Sequence, residues 1–167
     1  KNIRTNFEHL DGYLALFTPL NRRLYREKET FDSDDIYNFL HDVFKGRIER
    51  HAIKIIKTKG FAAKKITGLR SVFYPVFVNI VDNAIYWLKQ KTEDEERVIR
   101  LHVSNEGIFY ISNNGPAINP GDKEKVFEMG FSRKEKGRGM GLAISREVLR
   151  GHGYEIFVDE PRPNSSV

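Results

Sequence analysis

The stretch that decides the fold is residues 73–88, FYPVFVNIVDNAIYWL. Its apolar residues recur at intervals of three and four, the spacing of a helix with one face in a core; they are Phe73, Val76, Phe77, Ile80, Val81, Ala84, Ile85 and Leu88. Asn79 and Asn83 interrupt this run four residues apart, so they lie on one side of the helix, and Tyr86 continues their line. An amide carries a carbonyl acceptor and N–H donors, so the pair can hold a hydrated hard cation beside anionic oxygens. Two surface amides without a role are the alternative.

The composition of the chain is that of an ordinary globular protein. Its 167 residues, 40% hydrophobic and 31% charged, suffice for one domain with a substantial core and an appendage. A net charge of +5 favours anionic partners without choosing among them. The absence of cysteine excludes disulfides and thiol chemistry. No secretory pattern and no run of about 20 apolar residues is present, so we expect a cytoplasmic fragment, beginning at Lys1, without membrane contact.

The remaining chain predicts helices interleaved with strands. Apolar residues at helical spacing predict a helix over residues 3–29, kinked at Pro19, which needs another segment or a second copy of the chain to cover its apolar stripe. We then expect helices at 34–50 and 141–149, and a short helix or helical turn at 122–129. Strands are expected at 52–57, 98–104, 107–112 and 154–158, and a strand or extended loop at 61–67. This order is typical of an α+β fold with helices on one face of a mixed sheet.

A glycine-rich segment, residues 137–142 (GRGMGL), opens the last predicted helix. Alternating glycines let backbone N–H groups approach phosphate, and a helix N-terminus adds positive partial charge. The segment lacks the preceding strand of a dinucleotide fold and the Gly-Lys-Ser/Thr of a P-loop. Nearby basic side chains could neutralise a triphosphate, or form a solvated basic loop; they are Arg133, Lys134, Lys136 and Arg138.

A polar turn, residues 113–118 (NNGPAI), follows a predicted strand. A side-chain carbonyl there could accept a hydrogen bond from the amino group of a base, although such residues also form plain turns.

The order of these segments resembles the N, G1, F and G2 boxes of the histidine kinase, gyrase, chaperone and mismatch-repair ATPase superfamily. The asparagine helix, the 113–118 turn, residues 126–131 (VFEMGF) and the glycine-rich segment carry the resemblance, which spans about residues 31–158. The chain looks most like the catalytic ATP-binding domain of bacterial sensor histidine kinases. The resemblance implies a two-layer α/β sandwich of the Bergerat type, with a lid between the F and G2 boxes. It also implies three parts: a helix at 1–30 like the second helix of a dimerisation and phosphoacceptor hairpin, the ATP-binding domain at 31–160, and a tail at 161–167.

The resemblance also assigns roles at the phosphate end. Asn83 matches the asparagine that ligates Mg²⁺, and Asn79 matches the neighbouring residue near metal and phosphates. Tyr86 stands where many kinases have a basic residue. The lid glycines Gly137, Gly139 and Gly141 match those that cradle the phosphates.

At the base end, Asn113 matches the aspartate that binds the adenine amino group, keeping an acceptor but losing the charge. Gly115 lets the chain approach the base, Ala117 replaces a family glycine, and Ile118 walls the pocket. We therefore expect retuned nucleotide binding. The expected nucleotide site is Asn79, Asn83, Tyr86, Asn113, Gly115, Ala117, Ile118, Arg133, Lys134, Gly137, Arg138, Gly139, Met140, Gly141 and Leu142. The family's closing strand is not visible, which would leave one sheet edge unpaired.

The expected reaction is phosphoryl transfer to a histidine. Hydrolytic branches of the superfamily place a water-activating glutamate where this chain has Asn79, an amide that cannot act as a base. A histidine kinase needs mainly metal, positioning and charge neutralisation at this site. None of the five histidines has the context of a phosphoacceptor, so no catalytic residue is identified in the chain. The expected partners are a phosphoacceptor helix, a response regulator and, in the full-length protein, a second copy. A non-kinase ATP-dependent switch is the alternative; scattered basic residues disfavour specific nucleic-acid binding.

Overall fold

The structure is a computed structural model that describes residues 28–92 and 94–159. Most of the helix predicted at 3–29 and the tail after residue 159 lie outside the described residues, and Glu29 already belongs to a strand. The elements in order are β1 (Glu29–Asp32), α1 (Ser33–Arg50), β2 (Ile53–Lys57), α2 (Lys59–Ala62), β3 (Lys65–Gly68), α3 (Arg70–Leu88), β4 (Arg97–Val103), β5 (Phe109–Asn113), two 3₁₀ turns (Pro120–Asp122 and Lys125–Phe127) and α4 (Gly141–Gly151). Within the described part of the chain, no helix is long and apolar enough to cross a membrane.

The strands form two small sheets. In the three-stranded sheet β2 runs parallel to β4, with Ile55 opposite Ile99, and β4 runs antiparallel to β5, with Leu101 opposite Ile111. β1 and β3 form a separate antiparallel pair. The predicted mixed sheet is therefore confirmed, and among the described residues β5 pairs only with β4.

Helix α3 is the centre of the core, as the periodicity of residues 73–88 predicts. Its buried side chains meet those of α1 and of the inner sheet faces in one cluster. Burial of large apolar side chains is the main favourable term in folding, at about 25 cal/mol per Å². The residues of α3 in this cluster are Phe73, Phe77, Val78, Val81, Ala84, Ile85 and Leu88.

Three segments differ in detail from the predicted elements. Residues 30–32, which lie between the helices predicted at 3–29 and 34–50, belong to β1, where Phe31 is buried opposite Ile66 of β3. The short helix or helical turn expected at 122–129 is a 3₁₀ turn at Lys125–Phe127, and a second 3₁₀ turn precedes it at Pro120–Asp122. The strand expected at 154–158 has no strand partner within the described residues.

Side-chain packing accounts for residues 154–158. The Tyr154 ring packs edge-on against Phe73 with centroids 5.0 Å apart, and its hydroxyl donates to the Thr67 carbonyl over 3.4 Å. Ile156 packs beside Val76 and Leu149. The alternating apolar side chains that predicted a strand are thus used to attach this segment to α3 and α4.

Candidate functional site

Asn79 joins α3 to the start of α4. Its Nδ2 donates to the carbonyl oxygen of Gly141 over 3.3 Å and to Ser145 Oγ over 3.1 Å. A Cβ at Gly141 would lie 3.5 Å from Asn79 Oδ1. The donor side of this amide therefore positions α4, and its carbonyl oxygen faces the first glycine of that helix.

One turn further along α3, Asn83 is half-buried, and its side chain makes no hydrogen bond within the described part of the chain. Its carbonyl oxygen is therefore available for an external ligand. Asp82, which the sequence analysis did not single out, precedes it and accepts a hydrogen bond from Arg47 Nη1 of α1 at 2.5 Å. Asp82 is adjacent in sequence to the predicted metal ligand Asn83. This adjacency is the sequence feature that could have identified Asp82 as a residue of the site.

The lid segment, residues 130–140, contacts α3 through Lys134. Its Nζ lies 3.5 Å from Asp82 Oδ2 and 4.7 Å from the centroid of the Tyr86 ring. Lys89 Nζ lies 4.8 Å from the same ring. Burial lowers the pKa of the Lys134 ammonium below its ordinary value, while the Asp82 carboxylate acts in the opposite direction. The Tyr86 ring thus lies close to two lysine ammonium groups, one from the lid segment and one from the chain just after α3.

The glycines of the lid segment are required by its own conformation. Gly139 has φ +64° and accepts a hydrogen bond from Gly130 N over 2.9 Å. A Cβ at Gly139 would lie 2.4 Å from the Phe131 carbonyl oxygen, and one at Gly137 would lie 2.0 Å from Ser132 Oγ. Neither position accommodates a side chain unless the lid segment rearranges.

Arg133 is engaged at the base of the lid segment. Its Nε and Nη2 donate to the two oxygens of Asp122 over 2.9 and 3.0 Å, and its guanidinium lies 5.3 Å from the Phe131 ring centroid. Arg133 also holds the pKa of Asp122 below its ordinary value through this hydrogen bond. The structure therefore gives Arg133 a contact within the lid region, whereas Lys134 faces α3.

The polar turn after β5 uses its two asparagines differently. Asn113 Oδ1 accepts from Gly115 N over 2.9 Å, and the residue is exposed. Asn114 joins β4 to the turn, since its Oδ1 accepts from Val98 N and its Nδ2 donates to the Glu96 carbonyl, both over 2.8 Å. Asn113 keeps a second lone pair for an incoming donor, whereas Asn114 has a structural role.

The space beside this turn is shallow and open. A depression of about 390 Å³ is lined by Gln90, Lys91, Glu95, Asn114, Gly115 and Pro116. A Cβ at Gly115 would lie 2.8 Å from Asn113 Oδ1, so a side chain at this position would crowd the Asn113 amide that binds the Gly115 N–H. Of the expected site residues, only Gly115 borders the depression.

The structure brings the expected site residues together in three groups: Asn79 with Gly141, Tyr86 with Lys134, and Asn113 with Gly115. The others at the surface are Ala117, Ile118, Arg138 and Met140, which are exposed, and Leu142, which is half-buried.

Comparison with protein families agrees with this fold. Residues 68–167 match the family described as histidine kinase-, DNA gyrase B-, and HSP90-like ATPase, and residues 1–26 match the HEF_HK domain. The chain therefore belongs to the histidine kinase-, DNA gyrase B- and HSP90-like ATPase family, as its motifs indicate. Membership of this family implies that the chain binds ATP.

Curated relatives are sensor proteins much longer than this chain. The methanogenesis regulatory histidine kinase FilI of Methanothrix harundinacea is 27% identical over 116 residues, covering 68% of this chain and 13% of the relative. The sensor protein CitS of Halalkalibacterium halodurans is 41% identical over 85 residues, covering 49% of this chain and 16% of the relative. The chain thus spans less than a fifth of either relative.

Solved structures confirm the two-layer α/β fold. The catalytic domain of the histidine kinase ThkA superposes with a TM-score of 0.62 at 24% identity, covering 75% of this chain and 81% of that one. ThkA in complex with the response regulator protein TrrA gives a TM-score of 0.66 at 18% identity, covering 95% of this chain and 46% of that chain.

Proposed function

We propose that this chain is the catalytic part of a sensor histidine kinase, which binds Mg-ATP and donates the γ-phosphoryl group to a histidine on a separate helix. One observation carries the proposal: Asn79 attaches the asparagine-bearing face of α3 to Gly141, where the glycine-rich segment enters α4. This arrangement suits a phosphate chain. The N-terminus of α4 and its glycine backbone lie on one side, and the side-chain amide of Asn83, which has no internal partner, lies on the other.

The residues on α3 fit a magnesium ion that is held jointly with phosphates. The carbonyl oxygen of Asn83 is a hard donor without an internal partner. Among residues 28–92 and 94–159, no group of three acidic, histidine or cysteine side chains could hold a metal by itself. Magnesium commonly uses one or two protein ligands together with substrate phosphates and water, and it neutralises charge on those phosphates.

The contacts of Asn79 favour transfer to a protein acceptor over hydrolysis. Its amide donates to Gly141 and Ser145, and an amide cannot take a proton from water at useful pH. In the proposed reaction the acceptor imidazole is itself the nucleophile. This chain then has to bind the nucleotide, orient its terminal phosphate and neutralise charge, which are the main contributions to phosphoryl transfer.

The proposed partners follow from the relatives. The complex of ThkA with its response regulator TrrA supports a response regulator as the final phosphoryl acceptor. A phosphoacceptor helix and a homodimer in the full-length cytoplasmic assembly are also part of the proposal. The division into residues 1–30, 31–160 and 161–167 stays a prediction.

The direct test is phosphotransfer. The full-length protein containing this chain is incubated with γ-labelled ATP and Mg²⁺, and we expect an acid-labile, base-stable phosphoprotein. The matched control is Asn83→Ala in the same protein, which should not label. A folded full-length protein that binds ATP and stays unlabelled would rule out the kinase.

A second candidate is an ATP-dependent conformational switch without phosphotransfer. The contact of Lys134 with Asp82 and Tyr86 favours it, because a nucleotide that rearranged this contact would change the lid surface. ATP binding that protects amides of residues 130–140 from hydrogen exchange, together with no labelling of any histidine, would select the switch.

A further inference from the structure

Asp82 lies on the same face of α3 as the predicted phosphate-end residues. Residues 79, 82, 83 and 86 are spaced at i, i+3, i+4 and i+7, which places them along one stripe of the helix. A carboxylate in this position puts a negative charge beside the proposed phosphate site, where it can oppose ATP in two distinguishable ways: by direct repulsion, or by holding a cation that the phosphates would otherwise bind. In the structure this charge is paired with two cations, Arg47 and Lys134.

Asp82 connects two cations from different elements. Its Oδ1 accepts from Arg47 Nη1 of α1 at 2.5 Å, and its Oδ2 lies 3.5 Å from Lys134 Nζ of the lid segment. The Lys134 side chain is 20% exposed and also lies against the Tyr86 ring. The Lys134 ammonium group therefore connects the lid segment to α3.

We propose that Asp82 competes with the nucleotide phosphates for Lys134 and so makes binding depend on phosphate charge. The inference rests on the proposed function. A carboxylate and a phosphate are both anionic acceptors for an ammonium group, and the phosphate carries the greater charge. Adenosine, which has no anionic group, leaves the Asp82–Lys134 contact intact, whereas ATP takes Lys134 from Asp82.

Arg47 makes this exchange feasible. When Lys134 moves to a phosphate, Asp82 keeps the Arg47 guanidinium, so the exchange does not leave a half-buried carboxylate without a cation. Lys134 in turn exchanges one anionic partner for another. The free-energy difference between the two arrangements is therefore small, which is what a ligand-dependent contact requires.

The test combines nucleotide titrations with a double-mutant cycle. Asp82→Asn should bind Mg-ATP about two- to five-fold more tightly, the range expected for losing a partly exposed ion pair. In a Lys134→Gln background the same Asp82→Asn change should have almost no effect, because the competition is gone. Adenosine affinity should not change in either background. Glu135→Gln removes one negative charge from an exposed residue of the lid segment and is the charge-matched control.

Each other outcome has a defined meaning. If Asp82→Asn tightens ATP equally with and without Lys134, the carboxylate acts only by repulsion and the competition is overturned. If Asp82→Asn weakens ATP, Asp82 supports the bound cation and the proposal is also overturned. If the wild-type chain does not bind ATP at all, the proposed function fails first.

Hydrogen exchange without nucleotide tests the Asp82–Lys134 contact independently of nucleotide binding. Hydrogen exchange at amides of residues 133–138 should be faster in Asp82→Asn than in the wild-type chain and unchanged in Glu135→Gln. Equal exchange in all three proteins would overturn the Asp82–Lys134 contact whatever the nucleotide data show.

Discussion

Asn79 of α3 donates a hydrogen bond to the carbonyl oxygen of Gly141, the first residue of α4, over 3.3 Å. The same amide donates to Ser145 Oγ, and Ser145 is only 2% exposed. Replacement by alanine would leave a buried hydroxyl and a helix-start carbonyl without this partner. We expect Asn79→Ala to lower the free energy of unfolding by about 1–3 kcal/mol. Urea denaturation followed by circular dichroism measures the loss, and an unchanged midpoint would contradict the role given to Asn79.

Asn83→Ala, unlike Asn79→Ala, should leave stability nearly unchanged and instead affect metal-dependent nucleotide binding. The Asn83 side chain makes no hydrogen bond within the described residues, so its loss should change the free energy of unfolding by less than about 0.5 kcal/mol. If its carbonyl oxygen ligates Mg²⁺, the metal-dependent part of ATP affinity should be lost. Calorimetry with Mg-ADP and a non-hydrolysable ATP analogue, repeated with EDTA, measures that part. Equal metal dependence in wild type and variant would remove Asn83 from the metal site.

The predictable parts of the fold are those that local patterns encode. The apolar spacing of residues 73–88 predicts α3, and the alternation of residues 98–104 predicts β4. β1 was missed because a strand of four residues depends on its pairing with β3, 33 or more residues away. Residues 154–158 have a strand pattern, but pairing also needs a neighbouring strand with a free edge.

The candidate site, like the fold, has one part that local sequence patterns predict and another that depends on tertiary contacts. Motif spacing predicts Asn79, Asn83 and the glycines, because helix periodicity and backbone conformation act locally. The different directions of Arg133 and Lys134 could not be read from the sequence, where the two are adjacent. Arg133 contacts Asp122 and Lys134 contacts Asp82 only because the lid segment folds back on itself.

Gly139→Ala should destabilise the lid segment. Gly139 has φ +64°, and a Cβ there would lie 2.4 Å from Gly130 C and from the Phe131 carbonyl oxygen. Backbone strain and this clash together should speed hydrogen exchange at residues 130–139 and weaken ATP binding. The matched control is Gly46→Ala in α1, where a Cβ meets nothing within 4 Å; it should stabilise the chain by about 0.5–1 kcal/mol. Normal lid exchange in Gly139→Ala would contradict this account.

The Asp122–Arg133 pair should make stability depend on acid pH. The Asp122 side chain is 10% exposed and that of Arg133 is 65% exposed, and hydrogen bonding to Arg133 holds the pKa of Asp122 below its ordinary value of 3.8. A group whose pKa is depressed in the folded state stabilises the protein above its unfolded-state pKa, and this contribution is lost as pH falls through the folded-state pKa. We therefore expect Asp122→Asn to lower the melting temperature at pH 7. The difference in melting temperature between variant and wild type should shrink as pH drops below about 3.8.

Arg133→Gln should give the same pH profile, because either substitution removes the pair. A constant difference between pH 7 and pH 3 would show that Asp122 stabilises the lid base by packing instead of charge.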